Sequence, residues 1–116
     1  MASKNMQKMS RSNVKARHWM ESNGYSDIFL FQHSRFSKDY HFQGQEFDGI
    51  ASHEDRVVFF QVKSNRKAIK KTLQEYAALS AKFDIECLWF NAIDRKGLQI
   101  NNQPAETFNM LGAWLI

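Results

Sequence analysis

FDGIASHEDRVVFFQVKSN, residues 47–65, decides how the rest of the chain is read. Two short runs rich in Phe, Val and Ile flank a polar turn at His53 to Asp55, the pattern of a β-hairpin. Side chains alternate across a strand, so Val57, Phe59, Gln61 and Lys63 share one face, and Val58, Phe60 and Val62 the other. In the preceding run, Glu46, Asp48 and Ile50 share a face. If the two strands pair with their polar residues on one side, Asp48, Gln61 and Lys63 converge at one end of a sheet. A carboxylate and an amide oxygen are hard ligands for Mg²⁺, and the Val62 carbonyl between Gln61 and Lys63 offers a third oxygen. Lys63 can reach an attacking water or a phosphate. The set fits metal-assisted phosphodiester hydrolysis. It also fits an Asp48–Lys63 salt bridge with Gln61 satisfied by hydrogen bonds, and spacing alone does not separate the two.

Outward from the hairpin, element signals follow in order. Residues 1–11 read as a basic, flexible arm. Ser12 can cap a helix over about 13–23, which Gly24 ends. SDIFLFQ (26–32) is a first strand, HSRFSKDYHFQGQ (33–45) a polar and aromatic loop, EFDGIAS (46–52) a second strand and RVVFFQVKS (56–64) a third. Ser64 or Asn65 can cap a second helix over about 66–82, with Ile69, Leu73, Tyr76 and Ser80 inward and Ala77 alongside. DIECLWFNA (84–92) is apolar on both faces, as a central strand requires. DRKG (94–97) turns the chain into LQIN, and Pro104 opens a last helix. The order αβββαβ, with a crossover helix before the fourth strand, predicts a parallel strand pair. That gives an α/β chain with a mixed central sheet flanked by helices.

Size and charge narrow the class. A chain of 116 residues is read as one domain spanning residues 12–116 beyond the arm. Its one cysteine, Cys87, excludes an internal disulfide and, set in IECLWF, reads as a buried thiol in a reducing, cytoplasmic setting. No run is long and apolar enough for a membrane span or a signal peptide. The four histidines are scattered without cysteine partners, which disfavours zinc. No glycine-rich phosphate loop is present, so nucleotide hydrolysis is not suggested. The net charge of +4 is unevenly spread. Residues 56–71 hold Arg56, Lys63, Arg66, Lys67, Lys70 and Lys71 and no acid, and Lys4, Lys8, Arg11, Lys15 and Arg17 precede the first acid, Glu21. Such runs are either a solvated face or a phosphate-binding surface.

A helix ending ESNGY, a strand, FDGIA, a strand ending FFQVKS and then a basic helix resemble the PD-(D/E)XK nuclease superfamily over roughly residues 12–92. Within it, the pattern is most similar to small archaeal-type and phage Holliday junction resolvases. The resemblance implies a restriction-endonuclease-like core and a DNA endonuclease using Mg²⁺ or Mn²⁺. It implies that Asp48 and Gln61 bind metal and that Lys63 is catalytic. The substrate implied is DNA, branched in the resolvase case. It also implies an intracellular protein, with a phage source among those allowed. Phe47 stands where the family has proline, Gln61 where it has glutamate, and Asn13 where many members carry a first-helix glutamate. With Asp48 the one assigned anion, the expectation is one metal, or a second recruited with the DNA phosphate. Glu46 is either a further carboxylate ligand or an exposed strand-end acid. Ser34 or Ser37 matches a substrate-contacting loop serine, and Arg35 and Lys38 lie beside them. Arg66, Lys67, Lys70 and Lys71 are the expected backbone-phosphate contacts. Two strands cut in a junction call for two chains, hence a homodimer, and the apolar FNMLGAWLI (108–116) offers an interface or packs on its own domain. The alternatives are a noncatalytic DNA-binding module with a degenerated site, and a restriction- or repair-type nuclease acting on unbranched DNA.

Overall fold

The computed structural model describes the backbone of residues 4–31 and 40–108, and side chains from residue 11 onward within those ranges. The elements are α1 (Lys4–Ser22), β1 (Ser26–Leu30), β2 (His41–Phe42), β3 (Gln45–Glu46), β4 (Gly49–His53), β5 (Arg56–Ser64), α2 (Lys70–Phe83), β6 (Glu86–Ile93), β7 (Gly97–Ile100) and β8 (Gln103–Pro104). Six strands form one mixed sheet in the order β1-β4-β5-β6-β7-β8, and β2-β3 form a separate two-stranded hairpin. The neighbours are antiparallel except β5 and β6, which run parallel through the α2 crossover as expected.

The β4–β5 hairpin closes on Glu54 and Asp55, both with positive φ, of 49° and 64°. A two-residue loop with that geometry matches the right-handed twist of the strands it joins, which fixes the register. His53 thus faces Arg56, and Gly49 faces Phe60. The sheet buries a core on each face. Val58, Phe60 and Val62 pack with Ala16 and Met20 of α1, and Leu88, Phe90 and Ile100 join them. On the other face Phe59 lies against Phe47, Tyr76, Leu79, Cys87 and Trp89, with α2 as the cover. Gln61 and Lys63 fall on this α2 side by alternation.

Several boundaries differ from the sequence reading. Residues 4–11, expected as an arm, are helical and continuous with α1. They include good helix formers and no breaker. Ser12 is therefore not a cap: it is buried within the helix, and its hydroxyl lies 2.5 Å from that of Ser64. The C-terminal expectation stands, because Gly24 has φ +85° and the Tyr25 N–H donates to the Met20 carbonyl at 2.9 Å. The long loop contains a second tight hairpin: Gln43 and Gly44, both at positive φ, let His41 face Glu46. That hairpin takes Glu46 away from β4. The single strand expected over 46–52 breaks at Phe47, whose ring is buried, and at Asp48, so Glu46 and Asp48 do not alternate along one strand.

Helix α2 starts at Lys70 rather than at residue 66. Asparagine side chains capture the intervening backbone. The Arg66 N–H donates to Asn91 Oδ1 at 2.8 Å, and the Ala68 N–H to Asn102 Oδ1 at 2.9 Å. Asn102 Nδ2 donates in return to the Ala68 carbonyl at 2.7 Å. These bonds hold the segment extended and offer its amides an alternative to the helix ladder. Ile69 is consequently exposed and Ala77 faces solvent, while Tyr76 and Leu79 form the inner face. The last helical residues, 105–108, begin after Pro104 as expected, and Phe108 packs edge-on to Trp19 with ring centroids 5.9 Å apart. The rest of the tail expected to dock or dimerise, residues 109–116, lies outside the described residues.

Candidate active site at the end of strand β5

Asp48 is placed by backbone bonds on both sides. Its N–H donates to the Phe60 carbonyl at 2.8 Å, and its carbonyl accepts from the Phe31 N–H at 2.8 Å. Its carboxylate Oδ2 accepts the Val62 N–H at 2.7 Å. The side chain therefore reaches across to β5 and meets the backbone between Gln61 and Lys63. Asp48 thus meets the β5 backbone at Val62, and it precedes β4 rather than lying within it.

Gln61 is 3 % exposed, and among the described residues its Oε1 has no hydrogen-bond partner. A buried acceptor without a partner costs about 1–3 kcal/mol. A buried acceptor oxygen of this kind suits a hard cation. The donor set of Asp48, Gln61 and the Val62 carbonyl fits Mg²⁺ or Mn²⁺ by oxygen chemistry. It is a lean set: among the described residues no three His, Cys, Asp or Glu side chains cluster as metal ligands. Lys63 is half-buried at the strand end, and among the described residues it forms no ion pair with Asp48.

Residues that motif reading does not reveal lie on the same, α2 side of the sheet. The Tyr76 phenol is raised above its ordinary value, first by burial, then by the neighbouring Cys87, Asp48 and Glu46. Glu46 is half-buried on β3 rather than an exposed strand-end acid. Asn91 of β6 lies opposite Lys63 in the parallel register and is 2 % exposed. It accepts from the Arg66 N–H and donates to Gln99 Oε1 at 3.2 Å, linking the end of β5 to β7. Burial pushes the Cys87 thiol up to about 11, so it is no nucleophile.

Arg66, Lys67, Lys70 and Lys71 are all exposed and follow directly from Lys63. Lys67 lies in the extended segment, so it does not share a helical ridge with Lys71, as the predicted helix had it. Instead, Lys70 and Lys71 occupy the first turn of α2, which has no acid there and no side-chain cap at Ile69. Lysines at a helix N-terminus oppose the macrodipole, and together they make that end strongly attractive to anions. Asn13 is half-buried on α1, one residue beyond Ser12, whose bond to Ser64 sets that turn of helix at the end of β5. Ser34, Arg35, Ser37 and Lys38 lie outside the described residues. Among those residues, no helix is long and apolar enough to cross a membrane. No protein-family model matches the chain, and no curated protein matches it.

Proposed function

We propose that the chain is a metal-dependent DNA endonuclease of the PD-(D/E)XK type, with a restriction-endonuclease-like core and a preference for branched DNA. The observation that supports it most is the Asp48 carboxylate held on the β5 backbone between Gln61, whose buried oxygen has no partner among the described residues, and Lys63, with four exposed cations following in the chain. Asp48, Gln61 and the Val62 carbonyl would hold Mg²⁺. A bound Mg²⁺ supplies Lewis-acid polarisation of the phosphate and a more acidic water. Lys63 brings a positive charge to the phosphate oxygens. Arg66, Lys67, Lys70 and Lys71 bind neighbouring backbone phosphates, which sets position rather than sequence. A homodimer would present two such sites to the two strands of a junction.

The direct test is incubation of labelled four-way junction and linear duplex, each with Mg²⁺ and with EDTA, with light scattering to give the oligomeric state. Junction cleavage by a dimer with Mg²⁺ alone is expected. DNA binding without cleavage would favour the noncatalytic module, and equal cutting of duplex the restriction or repair type.

Gln61→Glu supplies the carboxylate common in this arrangement. Two adjacent carboxylates repel, and a divalent cation relieves that repulsion. The variant is expected to cleave at least as fast as the wild type and to reach half-maximal rate at a lower Mg²⁺ concentration. An inactive variant that still binds Mg²⁺ normally would remove Gln61 from the ligand set.

A further inference from the structure

We infer a second phosphate-binding site, on the α1 side of the sheet, in the cleft between α1 and the β6–β7 turn; it rests on the DNA-binding reading above. The cleft has a volume of about 330 Å³ and is lined by Arg11, Ser12, Lys15, Ala92, Asp94 and Arg95. Among the described residues, three cations and one carboxylate leave it a net charge of about +2. Asp94 Oδ2 accepts from Asn65 Nδ2 at 3.1 Å, which commits part of its charge to the protein.

The walls of this cleft are fastened to the end of the strand that carries Lys63. The next residue, Ser64, is joined to α1 through Ser12. The one after, Asn65, holds the β6–β7 turn: its Oδ1 accepts the Asp94 N–H at 2.9 Å, and its own N–H donates to the Ala92 carbonyl at 2.9 Å. The cleft therefore keeps a fixed place relative to Lys63. The basic run from Arg66 to Lys71 leaves β5 toward α2, and the cleft lies toward α1. A backbone passing over the end of β5 meets cations on both sides of Lys63. The ligand this fits is a phosphodiester of the same DNA, one or a few nucleotides from the bond that is cut. Arg11 and Arg95 suit it because a guanidinium presents paired donors to phosphate oxygens.

The experiment measures binding of four-way junction DNA in EDTA across a salt series, for the wild type, Lys15→Ala/Arg95→Ala, Lys67→Ala/Lys71→Ala and the control Arg56→Ala/Lys82→Ala. All six residues are exposed, so the variants keep the fold. The control removes the same charge outside the cleft. The cleft variant should bind about tenfold more weakly at low salt, and the slope of log affinity against log salt should fall by about one unit. The Lys67/Lys71 variant should lose a similar slope, and the control should keep the wild-type slope. A cleft variant that behaves like the control would overturn the inference. Millimolar inorganic phosphate at constant ionic strength is the second arm. Tight binding of phosphate by the cleft with an unchanged DNA slope would make it a small-anion site and also overturn the inference. Cleavage by the wild type is read separately. A protein that shows the cleft-dependent slope but never cuts would retain this site and lose the nuclease assignment.

Discussion

Asp48→Asn and Lys63→Ala are each expected to lower the rate of Mg²⁺-dependent cleavage by about 10³-fold or more, while DNA binding in EDTA stays within a few-fold of wild type. On the proposed mechanism, the size follows from what each change would remove: the one carboxylate of the proposed metal set, and the cation proposed to face the phosphate. The fold should survive both changes. Asparagine keeps an oxygen that can accept the Val62 N–H, now made to the Asp48 carboxylate at 2.7 Å. Lys63 is half-buried with no ion pair to Asp48, so its truncation leaves no buried charge unpaired among the described residues. Thermal melts beside the cleavage assay decide the matter. Retained cleavage in either variant would remove that residue from the mechanism. Unfolding of both would make the pair structural, as the salt-bridge reading of the sequence has it.

The second large effect is on stability, next door. Gly49→Ala is expected to cost about 3 kcal/mol and lower Tm by roughly 10 °C. A Cβ at Gly49 would lie 2.4 Å from the Phe29 carbonyl oxygen and 2.4 Å from Phe60 Cζ. The first is backbone of β1, and the second is the tip of a ring with 0 % exposure, so neither can give way cheaply. Gly44→Ala makes the comparison, because a Cβ there meets nothing within 4 Å and only its positive φ of 82° is strained. That strain costs about 1–2 kcal/mol. If Gly49→Ala melts no lower than Gly44→Ala, the close approach of β1 and Phe60 is not a property of the protein. Loss of cleavage should accompany the loss of stability, since Gly49 carries Asp48 on its N-terminal side.

The features legible in the sequence are those whose causes are local. Alternation in RVVFFQVKS, a polar turn and Gly24 each act within a few residues, and the structure keeps all three. The approach of Asp48 to the end of β5 was legible because one hairpin brings the two segments together. The start of α2 was not, because Asn91 and Asn102 hold the backbone of Arg66 and Ala68 from far along the chain. Residue 66 looks helical in isolation, and distant side chains decide otherwise. The β2–β3 hairpin escaped because two-residue strands have no period to detect; Gln43-Gly44 was its only local mark. Tyr76 on the α2 side of the sheet, and Arg95 and Lys15 lining one cleft against α1, needed the assembled sheet.

The two-residue turn at Glu54 and Asp55 has a consequence for how this protein can change its length. Each face of β5 is a separate message written on alternate residues: Phe60 and Val62 for the α1 core, Gln61 and Lys63 for the site. A one-residue slip exchanges the two messages. A single deletion between Asp48 and Lys63 would therefore drive an amide and an ammonium into the apolar layer against Met20 and turn the apolar side chains outward. Insertions and deletions in descendants of this chain must then spare the hairpin, or come in pairs within it.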